Sequence, residues 1–239
     1  MKELVIDSDK ITGDFDGARY HKFSSFLKKK FGERIYKVTL DAGFSCPNRD
    51  GTKGVNGCIY CVNESFSPST GNVHLSVKQQ IIHGITYLKT RFKANKFIAY
   101  FQPYSNTYKE LKELKQLYNE ALSIDEIIGL SIGTRPDCVD EYKLDFLSEL
   151  AEKNHIWIEY GLQSIHNKTL DFINRKHTIE EFIKAYEMTR KRKNIHICVH
   201  VIHGLPYESF DMMVDTMKFI RDINPDRSEE HTSELQSPN

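Results

Sequence analysis

No run of about 18 consecutive apolar residues occurs in this 239-residue chain, so nothing in it reads as a membrane-spanning helix. The opening Met-Lys-Glu-Leu-Val-Ile-Asp lacks the apolar core of a secretory signal, which makes the cytoplasm the expected compartment. Surplus charge is missing too: 33 basic residues meet 33 acidic ones, so electrostatics alone gives no case for nucleic-acid binding. Internal repeats, low-complexity tracts and interdomain linkers are also absent. Cysteine is scarce, with five in all, and clustered thiols in a chain without an export signal read as metal ligands rather than disulfides. What remains, 39% hydrophobic and 28% charged residues, is ordinary for one globular domain with a substantial core.

Three of the five cysteines fall within sixteen residues. Cys46 and Cys58 have eleven residues between them, and Cys58 and Cys61 have two. The short gap lets two sulfurs face one metal centre, while Gly51, Gly54 and Gly57 let the backbone between take positive φ and fold over it. Three thiolates suit soft metals. A closed zinc site wants a fourth ligand, for which His74 is the candidate, whereas a cubane of four irons held by three cysteines keeps one iron open. Cys138 and Cys198 stand apart and read as packing residues.

Elsewhere apolar residues repeat with alternating periods. Residues 20–31 read as an amphipathic helix whose lysines form a solvated face or, alternatively, touch RNA. Strands are expected at 35–40, 97–101, 127–132, 156–162 and 195–202. Helices are expected at 76–92, 107–122, 139–152, 167–173, 179–191 and 209–223, with Asn106 or Thr107 capping the second of these. Alternating strands and helices imply right-handed βα units, a parallel sheet, and chemistry at the strands' C-terminal ends. The expected fold is thus α/β, a partial (β/α)6-type TIM barrel with about five βα units. In the fourth strand, Glu159, Gly161 and Gln163 share the face opposite Ile156, Ile158 and Tyr160 and should point inward. Arg135 with Asp137, and His200 with His203, are further polar candidates near strand ends.

The segment from Cys46 to Cys61 resembles the cluster loop of the radical S-adenosylmethionine (radical SAM) superfamily, in which three cysteines hold a 4Fe-4S cluster. Its long first gap departs from the commonest spacing in that superfamily but is similar to the Elongator-like branch and the YhcC-like proteins. The resemblance implies that Cys46, Cys58 and Cys61 are the cluster ligands and that Tyr60 is the aromatic residue before the last of them. It implies S-adenosylmethionine bound at the open iron. Gln102 occupies the place of the usual Gly-Gly-Glu motif, Glu159 and Gln163 face the ribose or methionine end, Arg175 holds the carboxylate, and Gly204 lets backbone approach adenine. Asn174-Arg175-Lys176-His177 is similar to an Asn-Arg-Gly-His segment of Elongator-type enzymes, with lysine in place of glycine. Implied partners are an electron donor such as flavodoxin or ferredoxin and a substrate that is RNA by analogy alone. The chemistry implied is homolytic cleavage of the cofactor's carbon–sulfur bond and hydrogen abstraction by a 5′-deoxyadenosyl radical. A zinc-stapled, non-catalytic RNA-binding module is the alternative from a different class.

Three segments are expected: an N-terminal extension and helix (1–34), the partial barrel (35–226), and a polar tail (227–239). The tail resembles the translation of a sequencing-library adapter and reads as an artefact on a truncated barrel. Without it the chain holds 32 basic and 30 acidic residues. No strand is expected there, so the fifth strand should present an unpaired edge.

Overall fold

In a computed structural model, residues 20–62 and 71–232 are described. The first nineteen residues of the expected N-terminal extension and residues 233–239 of the tail lie outside them. The elements run α1 (Phe23–Phe31), β1 (Ile35–Leu40), α2 (Val77–Phe92), β2 (Lys96–Phe101), α3 (Leu111–Leu122), β3 (Ile127–Thr134) and α4 (Glu141–Ala151). They continue as β4 (His155–Gln163), α5 (Asn167–Phe172), α6 (Ile179–Arg190), β5 (Ile195–His203), α7 (Phe210–Ile223) and β6 (Arg227–Thr232). All six strands are parallel and paired in chain order, giving a sheet curled into a half-barrel.

Period-2 alternation divides every strand between two environments. The outer row, with Val38, Leu40, Ala99, Phe101, Leu130, Ile132, Ile156, Ile158, Tyr160, Ile197 and Val199, packs under the helices as the main core. The inner row carries Lys37, Tyr100, Ser131, Glu159 and His200. Helix starts follow local chemistry: Ser76 with Gln79 and Thr178 with Glu181 form reciprocal capping boxes. The second expected cap is different. Helix α3 starts only at Leu111, because Asn106 gives its amide to the carbonyls of Pro103 and Gly133, and Thr107 bonds Thr134 and the Cys138 carbonyl. Those bonds pin the turn after β2 to the end of β3.

Helix α1 closes the N-terminal end of the half-barrel. It stops at Gly32, whose φ of 78° lets its N–H reach the Lys28 carbonyl, and Lys28, Lys29 and Lys30 complement the helix dipole in the last turn. Leu27 is buried against Ile35 and Ile98, while Phe23 and Phe26 meet the Trp157 ring edge-on at 5.1 and 6.2 Å. Its lysines lie on the exposed side. Leu27→Ala should cost about 3 kcal/mol, the middle of the range for a buried leucine, read as a lower urea midpoint. No change there would mean that the helix does not seal the barrel.

The sixth strand corrects the expectation of an open edge on β5. Arg227 to Thr232 pairs with Cys198 to His203 along its whole length. It was illegible because it has no apolar alternation. Its period-2 pattern is polar instead: Arg227, Glu229 and His231 face the interior, where Arg227 meets Glu229 at 2.6 Å and His231 meets His200 at 3.2 Å. Ion pairs and imidazoles satisfy a row that apolar side chains usually fill.

Candidate metal and cofactor site

The segment from Asp41 to Val62 leaves β1 and folds back on itself at the C-terminal end of the strands. Arg49 and Asp50 return their N–H groups to the Cys46 carbonyl, and Gly57 N–H returns to the Asn48 carbonyl at 2.7 Å. Gly51 and Gly57 take positive φ as expected, at 93° and 72°, but Gly54 does not: there the need is room, since a Cβ would overlap Asn48 Oδ1. At Gly57 a Cβ would fall 2.8 Å from Arg49 Nε, so glycine makes the room through which Arg49 reaches the Cys61 carbonyl at 2.5 Å. Asn48 is fully buried and donates both to the Asn174 carbonyl at 2.5 Å and toward Cys58 Sγ at 3.6 Å. Lys53, midway along the segment, meets Asp137 at 2.7 Å and Glu181 at 3.0 Å. Cys46, Cys58 and Cys61 consequently line one cavity of about 650 Å3.

Polar groups from the strand ends converge on the same cavity. Arg175 arrives from the turn after α5, with Nε on His177 Nε2 at 2.8 Å, Nη2 on the Gly161 carbonyl at 2.6 Å, and Nη1 toward Cys58 Sγ at 3.6 Å. A Cβ at Gly161 would lie 2.8 Å from Nη2, so only glycine admits the guanidinium there. Burial would raise the Cys58 thiol, but the Arg175 charge outweighs it and holds the thiol below its ordinary value. Burial leaves Cys61 raised. Burial, then the charges of Arg175 and Arg135, push His177 well below the usual histidine range, so it is a neutral acceptor. Arg135 clamps Asp137 through Nε and Nη2, both at 2.8 Å, while its Nη1 is buried without a hydrogen bond. Ser105 Oγ and the Tyr60 hydroxyl are likewise buried without partners.

The other sequence candidates divide. Gln102 and Gln163 line the cavity, the latter at a β-bulge with φ of 75°. Tyr60 packs its ring on Leu170, Ile173, Ile202 and Leu205. Glu159 lies deeper on the inner wall, bound by Lys37 at 2.5 Å, by His200 at 3.0 Å and by Ser131. Although burial opposes ionisation, Lys37 and His200 keep its carboxyl well below the ordinary range. Gly204 has positive φ but is exposed, donates to Met213 Sδ at 3.1 Å and is not among the residues lining the cavity. His203 is also outside the lining, and His196 stacks on Trp157 near α1. His74 is exposed and turned to the Gly71 carbonyl. Cys198 is less isolated than expected: its sulfur and ligand atoms of His200 and Glu229 lie within 4.8 Å of one another. Cys138 is buried, and its thiol is pushed up to about 12.

Three thiols on a folded-back loop at the mouth of a parallel half-barrel is a known arrangement, and the family pattern of the radical SAM superfamily matches residues 50–220. The chain belongs to the radical SAM superfamily. Among the relatives of this radical SAM chain, YtqA of Bacillus subtilis is 37% identical over 206 residues, covering 86% of this chain and 64% of that protein. MJ0486 of Methanocaldococcus jannaschii is 40% identical over 209 residues, covering 86% and 63%. The chain therefore spans just under two thirds of the length of these relatives. In fold it is similar to Elp3 of Methanocaldococcus infernus, with TM-score 0.61, 18% identity and coverage of 83% of this chain and 45% of that one. It is also similar to coproporphyrinogen III oxidase HemN of Escherichia coli, a radical SAM enzyme, with TM-score 0.57, 16% identity and coverage of 87% and 47%. Radical SAM proteins in general use S-adenosylmethionine and a 4Fe-4S cluster. No helix among the described residues of this member is long and apolar enough to cross a membrane.

Residues lining or bracing this cavity that sequence reasoning missed are Asn48, Arg49 and Lys37. The first two lie inside the cysteine segment but are common loop residues. Lys37 carried a signal: it is a lysine at an inward position of a strand otherwise written Ile-Tyr-Lys-Val-Thr-Leu.

Proposed function

We propose that this chain holds a 4Fe-4S cluster through Cys46, Cys58 and Cys61, binds S-adenosylmethionine beside it, and acts as a radical SAM enzyme. The observation that carries this reading is the convergence of three thiols with buried, unpartnered donors on Arg135 and Ser105 around one cavity. Held by Cys46, Cys58 and Cys61, such a cluster would supply one-electron reduction of the cofactor's sulfonium and so radical chemistry at a substrate C–H bond. The chain's own part is placement and exclusion. Arg135 Nη1 and Ser105 Oγ offer donors to a carboxylate, Gln102 and Gln163 present amides at the mouth, and α1 keeps water from entering through the floor.

The fourth ligand that a closed zinc site needs is not supplied by His74, which is exposed and turned to the Gly71 carbonyl. Three thiols without it suit a cluster that keeps one iron open. An RNA substrate is supported by a local likeness: the tRNA uridine(34) acetyltransferase of Methanocaldococcus jannaschii is 32% identical over 99 residues, which are 41% of this chain and 17% of that protein. A flavodoxin or ferredoxin is the expected class of electron donor.

Anaerobic reconstitution with iron and sulfide tests the reading. Near-equal iron and sulfide, broad visible absorption and 5′-deoxyadenosine on adding dithionite and S-adenosylmethionine are expected. A colourless protein that retains zinc in preference to iron would overturn it in favour of a stapled binding module.

A further inference from the structure

We propose that Arg175 sets the reduction potential of the cluster, raising it by holding a fixed positive charge and an N–H donor against the sulfur of Cys58. This rests on the cluster-binding reading above and adds to it a residue that acts through a ligand. Arg175 is 6% exposed, and each nitrogen of its guanidinium is engaged by the protein: His177, the Gly161 carbonyl and Cys58 Sγ. None of these partners is a carboxylate. Its neighbour Arg135 is different, since Asp137 takes both Nε and Nη2 and largely cancels that charge. His177 accepts from Arg175 as a neutral ring. The Arg175 charge is therefore left to be balanced by sulfur.

Reducing the cluster adds one electron and one negative charge, with no proton or leaving group involved. A neighbouring cation and hydrogen bonds to the ligating sulfur favour the more negative state, and both are recognised controls of iron–sulfur potentials. Cys58 receives two such donors, from Arg175 and Asn48, each at 3.6 Å. Only Arg175 brings charge. In a buried site that charge is weakly screened, so its removal should be felt strongly. The rigid seat also matters: the guanidinium is braced on two sides by protein groups and cannot swing away when the cluster changes charge.

The test is a dithionite titration of the reconstituted holoprotein, followed by the electron paramagnetic resonance of the reduced cluster. Arg175→Met should make one-electron reduction at least ~10-fold less favourable, a downward shift of about 59 mV or more. Arg175→Gln, which keeps an amide but no charge, should shift nearly as far. Arg175→Lys should fall between these and the unmodified protein. A cluster-loaded Met or Gln variant with an unchanged potential overturns the proposal. So does failure of both uncharged variants to take up iron, because a group that only sets potential is not needed for assembly. If the unmodified chain takes up no iron, the cluster-binding reading itself fails, and iron content before the titration separates that outcome from the others.

Discussion

Cys58→Ala is expected to abolish iron uptake and, with it, all dithionite-dependent 5′-deoxyadenosine. Cys58 stands at the centre of the site: its sulfur takes donors from Asn48 and Arg175, and its carbonyl accepts the Cys61 N–H at 3.0 Å. Removing a residue behind a ligand usually lowers metal affinity 10- to 100-fold. Loss of one of only three ligands should go further, to background. The same outcome is expected for Cys46→Ala and Cys61→Ala. Cys138→Ala should keep full iron, since that sulfur lies beneath the turn after β3 rather than on the cavity wall. Iron and sulfide analysis of the four reconstituted variants checks this. A Cys58→Ala protein with the iron content of the unmodified chain would remove the three-cysteine reading.

The second large effect is on stability. Lys37→Met should destabilise the fold by about 3 kcal/mol, because it removes the closer of the two cations that hold the Glu159 carboxylate, whose side chain is 1% exposed, and leaves only His200 and Ser131 on it. Lys37 also covers the Tyr100 ring at 4.0 Å, so it loses a cation–π contact as well. Replacing both charges, Lys37→Met with Glu159→Met, should recover much of the loss, since the buried carboxylate is gone and His200, freed of it, can lose its proton. Urea unfolding of the single and double variants decides the matter. A double variant no more stable than Lys37→Met would mean that packing, not charge, fixes this wall.

The same network should shape the pH dependence of stability. Glu159 titrates lower in the fold than its ordinary 4.5, so its contribution is complete above that value and is lost as pH falls through the folded pKa. His200 runs the other way. Burial lowers it, but Cys198 and Glu159 outweigh that and hold it at about 10 against an ordinary 6.5. Its contribution is complete below 6.5 and disappears as pH rises through 10. The two together favour mildly acid conditions.

Much of this was legible in the chain. The five apolar strands announced themselves because each is written for two environments, an oily outer row under helices and an inner row that tolerates polarity. The cysteine segment was legible because its glycines and gaps allow few other uses. Edges were harder. Helix α3 begins four residues later than its pattern suggests because Asn106 and Thr107 serve β3 instead of the helix. Strand β6 is illegible because it has no apolar row, its inward positions carrying charge instead. Arg175 reads in the sequence as the holder of a cofactor carboxylate, since nothing in Asn174-Arg175-Lys176-His177 announces that a sulfur 117 residues earlier lies beside it.

Asp137 has two clients. It pairs with Arg135 and, through Lys53, with the middle of the segment that carries Cys46, Cys58 and Cys61. Arg135, which lines the cavity with one nitrogen buried and unpaired, is thereby tied to the thiol-bearing loop through one shared carboxylate, so a shift of either should be felt by the other.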